Sequence, residues 1–549
     1  MTLVANLATQ LEERASDEWC RLLDADGTAT SITVGQLLER AMAFAATYGS
    51  VTGERKLIAV CLYHGLDLHA AFLGAMWAGH LPTMIAPPSP RMEPAKYAAS
   101  FADMLGHVKP AVVVSDAATI AKLETLSLAS FPASRVLDRE TVESTGWIAP
   151  HLGRAHDLAV LQHSSGTTGL QKGVALTHAA ILDHNRVYRE RLELRRSDVV
   201  CSWLPLYHDM GLIACFLLPL LERLKLVELS PFDWVSRPVS LLEAITQHRG
   251  TLCWLPNFAY QFLADSVKST EGLDLSTIRA FVNSSEPVLD ASHRAFVSRF
   301  RALGAREDQL TASYAMAENT YAVTQSRPGG YRTLAIDRRV FSDEHRAVAT
   351  EHDPLVVVSN GAAIEGTEVV VLDDRGQRLA DGEVGELALQ GPSRFDGYFG
   401  REDLTRAAMT DDGFYRTGDL GFIDAGEVFV TGRKKDLIII QGRNFYPADI
   451  ERIVGETEGV VAGRVVAFGL RDEHQGTEGL VVLVEAVDQA ADAQRRLVLA
   501  IRKRIAQSLD CTPSDVRVVP ARWLVKSTSG KLARGDNRAK YLATFASPP

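Results

Sequence analysis

A chain of 549 residues is too long for one hydrophobic core, since cores stop growing near roughly 250 to 300 residues, so at least two domains are expected. The apolar fraction of 46% and charged fraction of 23% exclude a disordered chain, and a formal net charge of −10 excludes a general binder of nucleic-acid backbones, which needs a basic face. The six cysteines stand without a Cys-x-x-Cys pair or a nearby histidine, which argues against a zinc site or a disulfide framework and fits a reducing, cytoplasmic setting.

The opening stretch, MTLVANLATQLEERA, has the pattern of an amphipathic helix and lacks the basic-then-apolar order of a secretory leader. Between residues 55 and 160, β-rich runs (KLIAVCLY, AVVVSD, DLAVLQHSS) alternate with helix-like Ala/Leu stretches, the signature of a mostly parallel sheet with helices on its faces. From Val199 to Asn283, CSWLPLYH, KLVELS, TLCWLP and IRAFVNSS continue the pattern, each strand delivering a polar or Gly/Pro-rich loop where open α/β sheets bind ligands. The most apolar run, GLIACFLLPLLERL from Gly211, is too short to span a bilayer and contains a proline.

From Pro354 the texture changes to strands and tight turns (PLVVVSNG, TEVVVLDDRGQ, GEVGELALQGP, GEVFVTGRKKD), with DDRG and DAGE as hairpin turns, so a β-rich subdomain is expected over about 354–430. Beyond GRKKD, the strands GRVVAFGL and EGLVVLVEA, the helix DAQRRLVLAIRKRIAQSL and the strand VRVVPARWL form a compact α+β tail. The basic cluster IRKR within that helix reads as one solvated face. The expected class is α/β: a large N-terminal domain of mixed, mostly parallel sheets with helices and a β-rich subdomain, then a small mobile α+β domain.

One segment is dense in chemistry. HSSGTTGLQKGV, from His163, places four hydroxyls, three glycines and a lysine between an apolar strand and an expected helix. It is not a P-loop, which requires Gly-Lys-Ser/Thr, because Gln171 precedes Lys172 and Gly173 follows it. Its chemistry still suits phosphate, through inward-turned backbone amides, hydroxyl donors and one positive charge. Alone, it leaves a polar surface turn as the lesser alternative.

Further segments in order remove that ambiguity. HSSGTTGLQKGV resembles the phosphate loop of the adenylate-forming superfamily, SSEP (284–287) its adenine-side loop, and SYAMAENT (313–320) its aromatic-x-x-x-Glu loop. YRTGDLG (415–421) resembles its ribose-binding turn, GRKKD (432–436) its hinge, and STSGKLAR (527–534) its closing lysine loop. Two departures are visible: Gln171 replaces the usual proline and Ala315 the usual glycine.

The resemblance implies attack of a carboxylate on the α-phosphorus of ATP, giving acyl-AMP and pyrophosphate, with Mg²⁺ as the second cofactor. On it, Ser165, Thr167, Thr168 and Lys172 hold phosphates, Ser284, Ser285 and Glu286 shape the adenine pocket, and Tyr314 stacks on adenine. Asp419 binds the ribose hydroxyls, Arg433 meets ribose or phosphate, and Glu318 holds the metal. Lys531 is the catalytic lysine, His208 lies near the acyl carbonyl, Lys526 is solvated, and Lys435 is the hinge between a core of residues 1–434 and a lid of residues 435–549.

YHGLDLHAAFLGAMWAGHLP, LPLYHDMGLI, LPNFAYQFLA and KKDLIIIQGRNFYPADIE are most similar to the fatty acyl-AMP ligase branch, and residues 331–354 stand where that branch carries an extra segment associated with failure to use free coenzyme A. The implied acceptor is the phosphopantetheine thiol of a separate acyl carrier protein. Phe258, Tyr260, Phe262, Trp203 and Met210 are the candidate acyl-pocket residues, with a packed core as the alternative reading. Two rival functions are an acyl-CoA synthetase using free coenzyme A and a non-catalytic nucleotide- or acyl-binding protein.

Overall fold

A computed structural model describes residues 1–52, 55–88, 94–125, 136–144, 146–164, 172–352, 354–440, 443–472, 477–527 and 531–545. The chain forms two compact units: residues 1–331, 360–368 and 390–413 make the first, and residues 332–359, 369–389 and 414–549 the second. The hinge expected at Lys435 lies inside the second unit.

The first unit is built on a nine-stranded sheet. Six neighbouring strands, Leu310–Ala315, Ala280–Asn283, Leu252–Leu255, Val199–Ser202, Lys225–Leu229 and Glu18–Leu23, run parallel. Antiparallel strands close both edges. Every residue of Leu252–Leu255 and Ala280–Asn283 is buried, as expected of strands covered by helices on both faces. A second, all-parallel sheet orders Leu81–Met84, Leu57–Val60, Val112–Ser115 and Val136–Asp138. The opening residues form the expected helix, Leu3–Arg14, whose N-cap Thr2 accepts from the Ala5 N–H at 3.2 Å.

The strand Leu158–Ser164 departs from the parallel pattern. It pairs antiparallel with Lys172–Thr177, which pairs in turn with Gly397–Tyr398. KGVALT is thus a strand flanked on both sides, with Gly173 to Leu176 all buried, and the helix His178–Arg191 starts only where the Thr177 hydroxyl accepts from the Ala180 N–H at 3.1 Å. The expected loop-to-helix junction is therefore a hairpin. The residues between its two strands, including Ser165, Thr167 and Thr168, lie outside the described residues.

In the second unit, Glu368–Leu372, Gly385–Gln390, Tyr415–Asp424 and Glu427–Arg433 form the β-rich sheet. DAGE is a two-residue hairpin turn with Ala425 at φ 50° and Gly426 at φ 77°, the left-handed pair that matches strand twist. PLVVVSNG does not join this sheet. Its strand Leu355–Val358 pairs antiparallel with Thr333–Ile336, which belongs to the expected insertion and supplies a nearer partner.

The C-terminal part orders Val460–Asp472, Thr477–Ala486 and Asp515–Val519, with the helices Pro447–Gly455 and Ala491–Leu509 closing its core through Ile450, Ile453, Leu497, Ile501 and Ile505. Of the IRKR cluster only Lys503 is exposed: Ile501 is in the core, Arg502 donates to Pro513 O at 2.7 Å and Arg504 pairs with Glu456, so the cluster is not one solvated face. Among the described residues, no helix is long and apolar enough to cross a membrane.

A second core in this unit gathers Ile336, Phe341, Leu355, Val384, Leu420, Phe422, Phe429 and Tyr446. It joins the expected insertion, the β-rich sheet and the start of the C-terminal part. Phe341 is 2% exposed, and its ring lies 5.0 Å from that of Tyr446. Phe341→Ala is expected to destabilise this unit by about 3 to 5 kcal/mol, read as a lower urea midpoint for the transition that reports on it.

Candidate active site

The six parallel strands end on one edge, and the candidate residues of the first unit follow those ends. Trp203 to Asp209 follow Val199–Ser202, Phe258 follows Leu252–Leu255, Ser284 to Glu286 follow Ala280–Asn283, and Tyr314 and Glu318 stand at the end of Leu310–Ala315.

The adenine-side loop is pinned from below. Asn257 Oδ1 accepts from Asn283 Nδ2 at 3.1 Å and from the Leu289 N–H at 2.9 Å, while its Nδ2 donates to Ser292 Oγ at 3.3 Å. Glu286 Oε2 accepts from the Phe258 N–H at 2.9 Å, and Ser285, at φ 69°, directs its Oγ to the Met210 sulfur at 3.9 Å. Glu286 and Ser285 therefore tie the adenine-side loop to the candidate acyl residues. The Asn257 network has no motif of its own, and only the PN junction after a buried strand marks it. Tyr314 is 7% exposed, opposite Thr324 in the sheet.

His208 stands at the end of a tightly built loop. Gln162 Nε2 donates to the Tyr207 carbonyl at 3.1 Å, and the His208 N–H donates to Pro205 O at 3.2 Å. The following segment, Met210–Leu217, is a fully buried π-helix, a geometry frequent at functional sites. A Cβ at Gly211 would lie 2.3 Å from the Pro205 carbonyl, so only glycine lets the helix pass.

The candidate acyl residues divide. Trp203 stacks on Trp234 with centroids 3.6 Å apart and planes at 8°, and Phe258 and Phe262 meet these rings edge-on. Tyr260 turns the other way, into the core against His293 and Phe296. Its neighbours differ because successive residues of the helix Asn257–Ser266 face different sides. Trp234 was not singled out in the sequence, where it lies in an unremarkable PFDW segment.

Glu318 is 9% exposed in the short turn Ala317–Asn319. The turn is held by the Phe395 N–H, which donates to Glu318 O at 2.9 Å, and by Thr320 Oγ1, which donates to Ser393 O at 2.7 Å. Thr320, fully buried and β-branched, sits at φ 62°, a strained geometry of the kind that clusters at active sites. Burial pushes the Glu318 carboxyl above its ordinary range; its own backbone N–H, the Tyr398 hydroxyl and Lys172 oppose the rise, and Asp209 adds to it. Tyr398 Oη donates to Glu318 Oε1 at 2.9 Å, and Lys172 Nζ lies 4.5 Å from the Tyr398 ring centroid. Two expected site residues, Lys172 and Glu318, thus meet on a tyrosine that no motif marks.

Among the described residues, no group of three or more His, Cys, Asp or Glu is arranged to hold a metal ion. A lone buried carboxylate such as Glu318 nevertheless suits Mg²⁺, which commonly takes one or two carboxylates and fills its shell with substrate phosphates and water.

In the second unit, Asp419 and Arg433 are cross-strand partners, with Arg433 Nε 3.2 Å from Asp419 Oδ1. The Asp419 N–H donates to Thr417 Oγ1 at 3.0 Å, and Gly418 at φ 73° makes the turn. Lys435 is exposed at the surface, and partial desolvation, the largest cause, holds its ammonium below the ordinary range. Lys531 closes the described end of a loop whose base is tied by the Ser527 N–H to Lys531 O at 2.7 Å and by the Ala533 N–H to Val525 O at 3.0 Å. Lys526 lies in that base, bridged to Leu532. Arg534 bonds Asp436 Oδ2 at 2.8 Å and Glu451 Oε1 at 2.9 Å, so the lysine loop and the residue after Lys435 are linked directly. Sequence reading missed this link, since both residues sit inside motifs read for other roles.

The family model of AMP-binding enzymes matches residues 9–399, and the chain belongs to this family of adenylate-forming ligases. More particularly, it is 31% identical to the medium-chain-fatty-acid–[acyl-carrier-protein] ligase JamA of Moorena producens, over 95% of this chain and 91% of that one. It is 28% identical to the long-chain-fatty-acid–AMP ligase FadD32 of Mycolicibacterium smegmatis, over 98% of this chain and 94% of that one. A solved structure from a study of fatty acyl-adenylate ligases of E. coli and L. pneumophila superposes with a TM-score of 0.92 at 26% identity, covering 100% of this chain and 99% of the other. The L. pneumophila fatty acyl-adenylate ligase in complex with acyl adenylate and pyrophosphate superposes with a TM-score of 0.75 at 29% identity, covering 99% and 96%.

Gly211→Ala is expected to cost about 1 to 3 kcal/mol through the clash with the Pro205 carbonyl and to displace His208. Thermal unfolding checks the first effect, and a raised KM for the carboxylic acid checks the second.

Proposed function

We propose that this protein is a fatty acyl-AMP ligase that activates a fatty acid with ATP to acyl-AMP and pyrophosphate, then passes the acyl group to the phosphopantetheine thiol of an acyl carrier protein. The observation that carries the reading is end-to-end similarity to fatty acyl-adenylate ligases, in both sequence and fold. The charged residues of an adenylation site, Lys172, Glu318, Asp419 and Lys531, are all present, which disfavours a non-catalytic binder.

The first step brings two anions together, so the chain must offset their repulsion. Lys172, with Ser165, Thr167 and Thr168, is assigned to the β- and γ-phosphates and to the departing pyrophosphate. Glu318 is assigned to Mg²⁺, which when bound neutralises phosphate charge. Ser284, Ser285, Glu286 and Tyr314 are assigned to adenine, and Asp419, with Arg433 holding one of its oxygens, to the ribose hydroxyls. Lys531 is assigned to the carboxylate and α-phosphate, where its ammonium aligns them and stabilises the charge of the transition state. The Trp203, Trp234, Phe258 and Phe262 cluster is assigned to the acyl chain, with His208 and Met210 assigned to its carboxylate end.

Transfer to a carrier rather than to free coenzyme A is supported by the packing of the insertion. Within the second unit, Arg338 pairs with Asp449, Arg443 Nε lies 3.2 Å from Asp343 Oδ1, and Ser342 Oγ donates to Asn444 O at 2.8 Å. With the Phe341 and Tyr446 contact, these bonds fasten the helix Arg338–Glu344 to the start of the lid expected from Lys435 onward. A lid so fastened resists the rotation that would form a coenzyme A tunnel, whereas an arm carried by a docked protein has its own approach.

The test is a product assay with ATP, Mg²⁺ and carboxylic acids of increasing length, with and without coenzyme A. Acyl-AMP that accumulates and ignores coenzyme A is the expected result, and rapid acyl-CoA formation identifies an acyl-CoA synthetase instead. Lys531→Ala is expected to bind ATP with near-normal affinity while pyrophosphate release falls on the order of 10²- to 10³-fold. Near-normal release would remove Lys531 from the reaction.

A further inference from the structure

Tyr398 lies in a two-residue strand, Gly397–Tyr398, outside every motif that suggested the chemistry. It is 5% exposed and touches two oppositely charged groups, Lys172 through its ring face and Glu318 through its hydroxyl. Its placement is fixed by three neighbours. The Tyr398 N–H donates to Thr405 Oγ1 at 2.9 Å, Tyr398 pairs with Val174 in the strand that begins at Lys172, and the ring packs on Phe395 at 5.0 Å. Residues two apart on a strand share a face, so Lys172 projects on the same side as Val174 and reaches the ring diagonally. Phe395, whose N–H holds the Glu318 carbonyl, precedes this strand by two residues, so one short segment fixes both the tyrosine and the carboxylate turn.

An ammonium and a carboxylate held on one side chain in a site of low dielectric attract each other strongly. Such a pair would compete with the phosphates and the metal for both groups. The phenol ring separates them while satisfying each, offering its negative face to the cation and its hydroxyl proton to the anion.

We propose that Tyr398 is a positioning residue for adenylation, which aims the Glu318 carboxylate at the metal and keeps Lys172 from pairing with it, so that both charges remain available to ATP. The proposal rests on the reading of Lys172 as a phosphate ligand and Glu318 as the metal ligand.

The full-length protein and its Tyr398→Phe, Tyr398→Leu, Glu318→Gln and Tyr398→Leu/Glu318→Gln variants test it, with ATP binding measured by calorimetry across a Mg²⁺ titration and in EDTA. Tyr398→Phe keeps the ring and loses the hydroxyl bond to a charged group, so half-saturating Mg²⁺ is expected to rise roughly tenfold with metal-free ATP binding within about twofold of the parent. Tyr398→Leu removes the separator, and metal-free ATP binding is expected to weaken on the order of tenfold as Lys172 pairs with Glu318. Adding Glu318→Gln to Tyr398→Leu is expected to restore metal-free binding, a rescue that mere loss of packing would not produce. An unchanged Mg²⁺ dependence in Tyr398→Phe, or no rescue in the double variant, overturns the proposal while leaving Glu318 as metal ligand. An unchanged Mg²⁺ dependence in Glu318→Gln overturns the metal assignment itself.

Discussion

The first unit depends on six parallel strands that end on one edge. Parallel strands need helical crossovers, which bury both faces and leave the loop edge as the place where polar groups can gather. SSEP, the Tyr314 and Glu318 loop, LPLYH and the PNF turn each leave the sheet there, although they are scattered from residue 204 to residue 318. The edge turns distant loops into neighbours, and the Glu286 to Phe258 and Ser285 to Met210 contacts are its direct result.

A site for a polyanion must hold positive charge without spending it on the protein's own carboxylates. The first unit answers with a tyrosine between Lys172 and Glu318, and with a backbone strained at Thr320 that presents the carboxylate. The second unit follows the opposite pattern. Arg433 engages Asp419, and Arg534 engages Asp436 and Glu451, so its cations brace the carboxylates and the loops that carry Asp419 and Lys531. Lys531 itself stands at a base that its own carbonyl closes by accepting from the Ser527 N–H.

The second unit also shows how residues 331–354 are held. Thr333–Ile336 pairs with Leu355–Val358, and Phe341 extends the β-rich core into the segment beyond Lys435. One apolar cluster and three polar contacts thereby bind residues 331–354 to the segment beyond Lys435.

The sequence by itself determined the alternation of strands and helices, the DAGE hairpin, the family and most of the candidate chemistry, because these reside in local periodicity, turn residues and short motifs. Tertiary structure decided which charges meet. Tyr398 stands 80 residues from Glu318, and Arg534 stands 98 from Asp436, separations across which no local pattern carries information. It decided too that KGVALT is a strand, since its flanking partner Gly397–Tyr398 arrives from far along the chain, and that Phe258 and Phe262 line the aromatic cluster while Tyr260 does not. In each case the physical reason is the same: pairing, burial and ion contacts are chosen by whichever distant segment the fold brings alongside.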